Sequence, residues 1–281
     1  MARGLSIHIG LNRVDPDRYG GWSGDLNACE FDAEDMAAVA GSAGFSATKI
    51  LTAEATSARV LEAIGSAAEE LTAGDTLLLT YSGHGGQIPD LDSDEEDSFD
   101  ETWVLHDRQV LDDELYAAYS RFTAGVRVAV FSDSCHSGSV TRTGPPAAAG
   151  LPAGAPAADP VPVGARSRAM PPALAQRDFL ARRDTYVEVA AKHQGVDEDT
   201  IAPCVLLISG CQDNQLSLDG THNGLFTATL LTVWNGGAFR GGYRRLHRQI
   251  SQRMPSTQSP RLSVIGTPNR GFTNAERAFS C

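Results

Sequence analysis

Short apolar runs and amphipathic stretches take turns along most of this chain. Residues 5–11 alternate apolar and polar. Residues 47–51, 76–81 (TLLLTY), 126–131 (VRVAVF, interrupted by Arg127), 204–208 and 262–265 are short and rich in β-branched or aliphatic side chains. Their length and composition predict strands, most of them buried on both faces. Between them the period changes. Residues 32–43 place Met36, Val39 and Ala40 on one helical face. Residues 56–71 do the same with Val60, Leu61, Ile64 and Ala67, behind a Thr56–Ser57 start signal. Residues 224–234 and 244–254 also read as helices. Strands alternating with helices imply an α/β domain whose parallel sheet is covered on both faces.

Two of the buried runs end in small polar residues. TLLLTY is followed by Ser82, Gly83, His84, Gly85 and Gly86; VRVAVF is followed by Ser132, Asp133, Ser134, Cys135, His136, Ser137 and Gly138. The carboxyl ends of parallel strands are where such a sheet opens its crevice. A free cysteine is most often a small buried hydrophobe, and a histidine in a glycine-rich turn is most often solvated. A histidine and a cysteine each leaving a strand end, with the histidine about 50 residues upstream, point instead to a nucleophile and its base. Cys135 as thiolate would attack a carbonyl, and His84 would take and return the proton. His136 points to the opposite side of an extended segment from Cys135. Gly85 and Cys135 offer backbone N–H groups to an oxyanion. No acid is assigned as a third member; a backbone carbonyl is left to orient His84.

Charge and composition narrow the partners. The formal net charge of −12 argues against nucleic acid and for cationic ligands or basic substrates. No apolar run approaches the ~20 residues of a membrane span. The N-terminal apolar stretch is too short for a secretion signal. Five cysteines without CxxC spacing do not suggest a disulfide framework, so a cytoplasmic location is expected. Residues 144–172 are dominated by Pro, Ala and Gly and carry Arg166 and Arg168. That composition predicts a mobile linker, taken as 144–200, between a large part (1–143) and a small part (201–281) of one catalytic domain. Arg177, Arg182 and Arg183 follow, where 173–188 has some helical character. The acidic run 89–101 (PDLDSDEEDSFDE) puts Asp90, Asp92, Asp94 and Glu101 at EF-hand spacing. Glu95 stands where that loop needs glycine, so an EF-hand is rejected.

YSGHGGQ (81–87) and DSCHSG (133–138) resemble the two catalytic motifs of metacaspases, within the caspase-like clan of cysteine peptidases. NACEFDA (27–33) and SGCQDNQLSLD (209–219) extend the resemblance over about residues 5–265. It implies a caspase-like three-layer sandwich, a mostly parallel sheet of about six strands with helices on both faces. It implies a thiol endopeptidase with Cys135 and His84 as its dyad, cleaving proteins or peptides after Arg or Lys. By the same resemblance Cys29, Asp32, Ser82 and Asp133 form the substrate pocket, where two carboxylates would hold a guanidinium. Many metacaspases need calcium, and the matching ligands are Asp100, Asp112 and Asp113; the fourth acid of that pattern is missing from 139–143 (SVTRT). Relatives are often cut between their two parts. Self-cleavage is therefore expected after Arg166 or Arg168, in a protein expected to be a monomer. The alternatives are a catalytically inactive caspase-like binding module, and a peptidase of the same clan directed to Asn or Asp.

Overall fold

The computed structural model describes residues 2–89, 91, 99–135, 166–193, 201–211, 215 and 217–281. Nine strands and seven α-helices fall among them. In chain order they are β1 (Gly4–Gly10), α1 (Cys29–Ser42), β2 (Ser46–Leu51), α2 (Ser57–Glu70), β3 (Thr76–Ser82), β4 (Gly85–Pro89), β5 (Phe99–Val104), β6 (Gln109–Leu111), α3 (Asp112–Ser120), β7 (Arg127–Asp133), α4 (Pro172–Ala181), α5 (Arg183–His193), β8 (Cys204–Ser209), α6 (Leu225–Trp234), α7 (Tyr243–Ser251) and β9 (Arg261–Gly266).

Six strands form the main sheet in the order β2-β1-β3-β7-β8-β9, and β4, β5 and β6 form a small antiparallel sheet beside it. All main-sheet pairings are parallel except β8 with β9. The α/β sandwich and six-strand sheet expected from the sequence are thus present. Alternation along each strand sends side chains to two cores. Leu77, Leu79, Val128, Val130 and Val205 face α2 and α3, with Val60, Ile64, Leu115 and Tyr119. Leu78, Ala129, Phe131, Leu206 and Ile208 face the other way, onto Met36 of α1, Phe226 and Leu230 of α6, and Leu246 of α7.

This topology fixes where a site can form. The chain leaves β1 towards β2 on one side and reaches β7 from β3 on the other, so the crevice opens at the carboxyl ends of β1 and β3. The β3–β7 register pairs Ser82 with Asp133. Neighbours in register share a face, so both side chains lie on the α1–α6 side, and the next residues on each strand carry His84 and Cys135 to the same end.

The linker read for 144–200 is corrected over its described part. Residues 166–170 make two isolated bridges, Ser167 with Leu218 and Ala169 with Gly85. Residues 172–193 are two helices packed on the main body. Phe179 and Tyr186 lie in a cluster with Ile88 and Leu111. The Pro/Ala/Gly composition that suggested mobility ends at Met170–Pro172, and Pro172 is an ordinary first-turn residue for α4. Residues 144–165 and 194–200 lie outside the described residues, as do Asp90, Asp92, Asp94, Glu95, His136 and 139–143.

Candidate active site

His84 follows β3 and its backbone is clamped. Its carbonyl accepts from the Tyr81 hydroxyl (2.7 Å) and from the Val104 N–H (3.0 Å). The ring is fixed separately. Its Nε2 lies 2.8 Å from the Gly24 carbonyl, and Trp22 packs on the ring with centroids 4.9 Å apart. Because a carbonyl only accepts, Nε2 carries the proton and Nδ1 is the free base. Nδ1 is buried without a hydrogen-bond partner. Burial pushes the His84 pKa down to about 4, against the opposite pull of the Gly24 and Ala169 carbonyls. The imidazole is therefore neutral at neutral pH, as a base must be. The orienting carbonyl left open by the sequence is that of Gly24, which sits at φ +56°.

Cys135 is completely buried. Its sulfur accepts from the Ser217 N–H and lies 3.5 Å from the Ser217 carbonyl. The cover over it is the chain's own segment 166–170. The Arg168 carbonyl accepts from the Gly85 N–H (2.9 Å) and from the Cys135 N–H (3.4 Å), the two donors expected of an oxyanion hole. Gly85 permits this approach only because it has no side chain; a Cβ there would sit 2.0 Å from the Cys135 carbonyl oxygen. Upstream, the segment adds a short antiparallel strand to residues 217–219. Arg168 N–H donates to the Ser217 carbonyl (3.0 Å), and Asp219 N–H donates to the Arg166 carbonyl (2.8 Å).

The Arg168 side chain is fully buried in the expected pocket. Its guanidinium reaches Asp32 Oδ2 (2.8 Å), Asp133 Oδ2 (2.9 Å) and Asp219 Oδ1 (3.1 Å), and it donates to Ser82 Oγ (2.8 Å). Three of the four predicted pocket residues, Asp32, Ser82 and Asp133, thus touch one cation. Cys29 is buried beside them, its thiol pushed up to about 12 by burial, so it is a neutral wall of the pocket. Arg166, by contrast, is exposed and donates to the Asp25 carbonyl (2.7 Å).

Asp219 is the pocket residue that the sequence did not assign. Its motif was recognised, but no periodicity or spacing marks a carboxylate so far along the chain as a neighbour of Asp32. Three carboxylates around one guanidinium leave excess negative charge in a dry pocket, which other donors offset. Asp219 accepts from the N–H groups of Asn27 (2.8 Å) and Ala28 (3.2 Å) at the start of α1. Asp32 accepts from the Gly224 N–H (3.1 Å), and Asp133 from the Thr227 hydroxyl (2.9 Å) and N–H (3.3 Å), all at the start of α6. Two helix N-termini therefore point at the acids, where their dipoles favour negative charge. The Ser217 hydroxyl donates to Asp133 (2.6 Å) and is itself held by Gln258 Nε2 (2.9 Å). Even so, burial raises the Asp32 pKa to about 6, with Arg168 pulling it down and Asp133 pushing it up.

The predicted calcium ligands lie where β5 and β6 meet α3. Asp112 and Asp113 head α3, where the Asp113 N–H donates to Asp112 Oδ1 (3.1 Å), while Asp100 is on β5. Among the described residues no group of three His, Cys, Asp or Glu side chains is placed to hold a metal ion. Nor, among the described residues, is any helix long and apolar enough to cross a membrane.

Comparison with known proteins agrees with this geometry. The Caspase domain family model matches residues 14–270. Metacaspase-1 of Coccidioides immitis is 35% identical over 149 residues, covering 48% of this chain and 31% of that protein. Metacaspase-1B of Aspergillus fumigatus is 42% identical over 88 residues, 30% of this chain and 22% of that one. The chain thus spans about a third or less of the length of these curated relatives. The crystal structure of protein GSU0716 from Geobacter sulfurreducens superposes with a TM-score of 0.87 at 48% identity, covering 99% of this chain and 98% of that one. Caspase-1 from Spodoptera frugiperda shares the fold, with a TM-score of 0.56 at 14% identity over 95% and 88% of the two chains. A family match over nearly the whole length, on a sheet that brings a histidine and a cysteine to adjacent strand ends, makes this chain a member of the caspase-domain family of cysteine peptidases.

Proposed function

We propose that this chain is a cysteine endopeptidase that cleaves after arginine, and that its first substrate is its own Arg168–Ala169 bond. One observation carries the reading. The Arg168 side chain fills the acidic pocket while its own carbonyl receives both oxyanion-hole N–H groups. A cationic side chain in that pocket alone would be compatible with a structural ion cluster. A carbonyl on Gly85 and Cys135 alone would be compatible with a sheet bridge. Together they are the pose of a substrate.

The reaction follows from this pose. His84 Nδ1 takes the Cys135 proton, and the sulfur turns from Ser217 to attack the Arg168 carbonyl carbon. Negative charge on the oxygen is met by the Gly85 and Cys135 N–H groups, already in place and shielded from water. The protonated ring then delivers its proton to the Ala169 nitrogen as the C–N bond breaks. In this pose the Ala169 N–H donates to Ser167 Oγ (3.2 Å), and the reaction requires the free Nδ1 of the ring to reach that nitrogen. Water releases the acyl group from the sulfur with His84 again as base.

Free peptides use the same pocket once Arg168 withdraws. Arginine is favoured over lysine because a planar guanidinium can address Asp32, Asp133, Asp219 and Ser82 at once, whereas an ammonium is a single point. An acidic side chain would meet three carboxylates, which speaks against Asp-directed cleavage. A peptide series with Arg, Lys, Asn, Asp or Leu before a fluorogenic amide tests this, with Cys135→Ala as blank. Turnover ranked Arg above Lys, and absent for the other three, is the expected outcome. Preferred cleavage after Asn or Asp, or equal signal from Cys135→Ala, would overturn it.

A further inference from the structure

The two sides of the Arg168–Ala169 bond are held in unequal ways. Upstream, the segment is fixed by the Arg168 side chain, by two strand hydrogen bonds, by the Arg168 carbonyl on the Gly85 and Cys135 N–H groups, and by the exposed Arg166 on the Asp25 carbonyl. Any arginine peptide can supply all but the last of those contacts in its place. Downstream, the anchor is built into the fold. The Met170 N–H donates to the Gly85 carbonyl (2.7 Å), and its side chain is 3% exposed, in a cluster with Val14, Tyr19, Val104 and Ala175. α4 begins at Pro172 and is held in turn: Asp178 accepts from Gln109 Nε2 (2.9 Å) and the Tyr186 hydroxyl (2.6 Å), and Arg182 lies over the Tyr19 ring at 5.4 Å.

Cutting the bond removes none of the contacts of Met170 and α4; the hydrogen bond that spans it is the Ala169 N–H on Ser167 Oγ (3.2 Å). The new α-amine of Ala169 therefore stays one residue from a buried anchor and in register with Gly85. Upstream, the cut end becomes exchangeable. Resting on the self-cleavage proposed above, we propose that the cut chain is also a peptide ligase, in which the Ala169 amine accepts the acyl group of an incoming arginine peptide. The incoming peptide acylates Cys135, and the amine on the far side of its Arg–X bond departs. Neutral Ala169 amine then attacks the thioester carbonyl. A C–N bond forms, the C–S bond breaks, and His84 carries the amine proton to the leaving sulfur. Water is the competitor, but the amine is tethered at the reacting carbon, where proximity substitutes for high concentration.

The test uses the self-cut full-length protein and an N-terminally blocked peptide containing a single Arg–Gly bond. Intact-mass measurement should show the 169–281 fragment heavier by the acyl part of the peptide, with fragment ions placing the new bond on the Ala169 nitrogen. The adduct per cut chain should rise as pH passes through about 8, where α-amines lose their proton. Met170→Asp, which sets a charge among apolar side chains, should lower the adduct per cut chain at least tenfold, and Met170→Leu should keep it. Cleavage of the peptide with the fragment mass unchanged up to pH 9 would overturn the ligase and leave the peptidase standing. A chain that neither cuts itself nor cleaves the peptide would overturn both.

Discussion

The arginine pocket and the catalytic pair lie at the ends of the same two strands, yet they are built in contrasting ways. In the pocket every carboxylate is saturated. Each of Asp32, Asp133 and Asp219 has at least one backbone donor besides the guanidinium, so the acids stand in place whether or not an arginine is bound. The pair is left incomplete. His84 Nδ1 has no partner, and the Cys135 sulfur is engaged with Ser217. In the reaction proposed above, the pocket is prearranged and the sulfur has still to turn away from Ser217. A pocket of this kind resists partial loss poorly, because removing one acid unbalances a buried charge.

The largest effect that would break this contrast lies at Gly85. Its N–H is one of the two proposed oxyanion donors, and its missing Cβ leaves room for the Cys135 carbonyl. Gly85→Ala should lower kcat for fluorogenic Arg amides by about 10²–10³ or more, the range for losing one oxyanion donor. Circular dichroism should show the fold retained, with a lower melting temperature because the added Cβ must displace the Cys135 backbone. Next comes the pocket. Asp133→Asn or Asp219→Asn removes one partner of a buried charged group, a loss of roughly 2–5 kcal/mol. That is about 30-fold or more in kcat/KM for Arg peptides. Equal kcat/KM for wild type and both variants would show that the pocket does not bind the substrate arginine.

A smaller effect separates orientation from binding. Trp22→Ala takes away the ring that packs on His84 but not the Gly24 carbonyl. It should lower kcat about tenfold with KM nearly unchanged, a split that a general loss of structure would not give. The smallest effect is in pH. Asp32 gains a proton as pH falls through about 6, while His84 remains neutral down to about 4. The acid limb of kcat/KM should therefore lie at or above pH 6 and belong to the pocket. It should move to lower pH in Asp32→Asn, whose remaining activity no longer depends on that proton. For stability the sign is opposite. The folded Asp32 pKa exceeds its ordinary 3.8, so this carboxyl costs stability above pH 6, and the cost fades between pH 6 and about 4.

Much of the scaffold was legible because it obeys simple periods. The runs 76–81 and 126–131 had to be buried strands, and their small polar ends announced the crevice that holds His84 and Cys135. The strand carrying Cys135 runs two residues further than its apolar run, since Ser132 and Asp133 still pair with Tyr81 and Ser82. Asp32, Ser82 and Asp133 were legible through resemblance, and Asp219 was not. Its position is a tertiary consequence of α1 and residues 217–219 meeting at the sheet end. The Gly24 carbonyl had no signal at all, because a backbone acceptor has no identity in sequence. The small sheet was missed because β6 spans only three residues and β4 begins in glycines. Some helical character was legible over 173–188, but α4 and α5 were not resolved as packed helices: their apolar anchors, Phe179 and Tyr186, are too widely spaced to stand out beside a Pro/Ala/Gly-rich neighbour.

The proposed self-cleavage requires Arg168 to be a substrate already in place. Intact-mass analysis of the purified wild-type chain beside Cys135→Ala, after prolonged incubation, tests that most directly. The account predicts two wild-type fragments that end at Arg168 and begin at Ala169, formed at a rate independent of protein concentration, with Cys135→Ala intact. Cleavage after the exposed Arg166 instead, or a wild-type chain that stays whole while hydrolysing added Arg peptides, would contradict it.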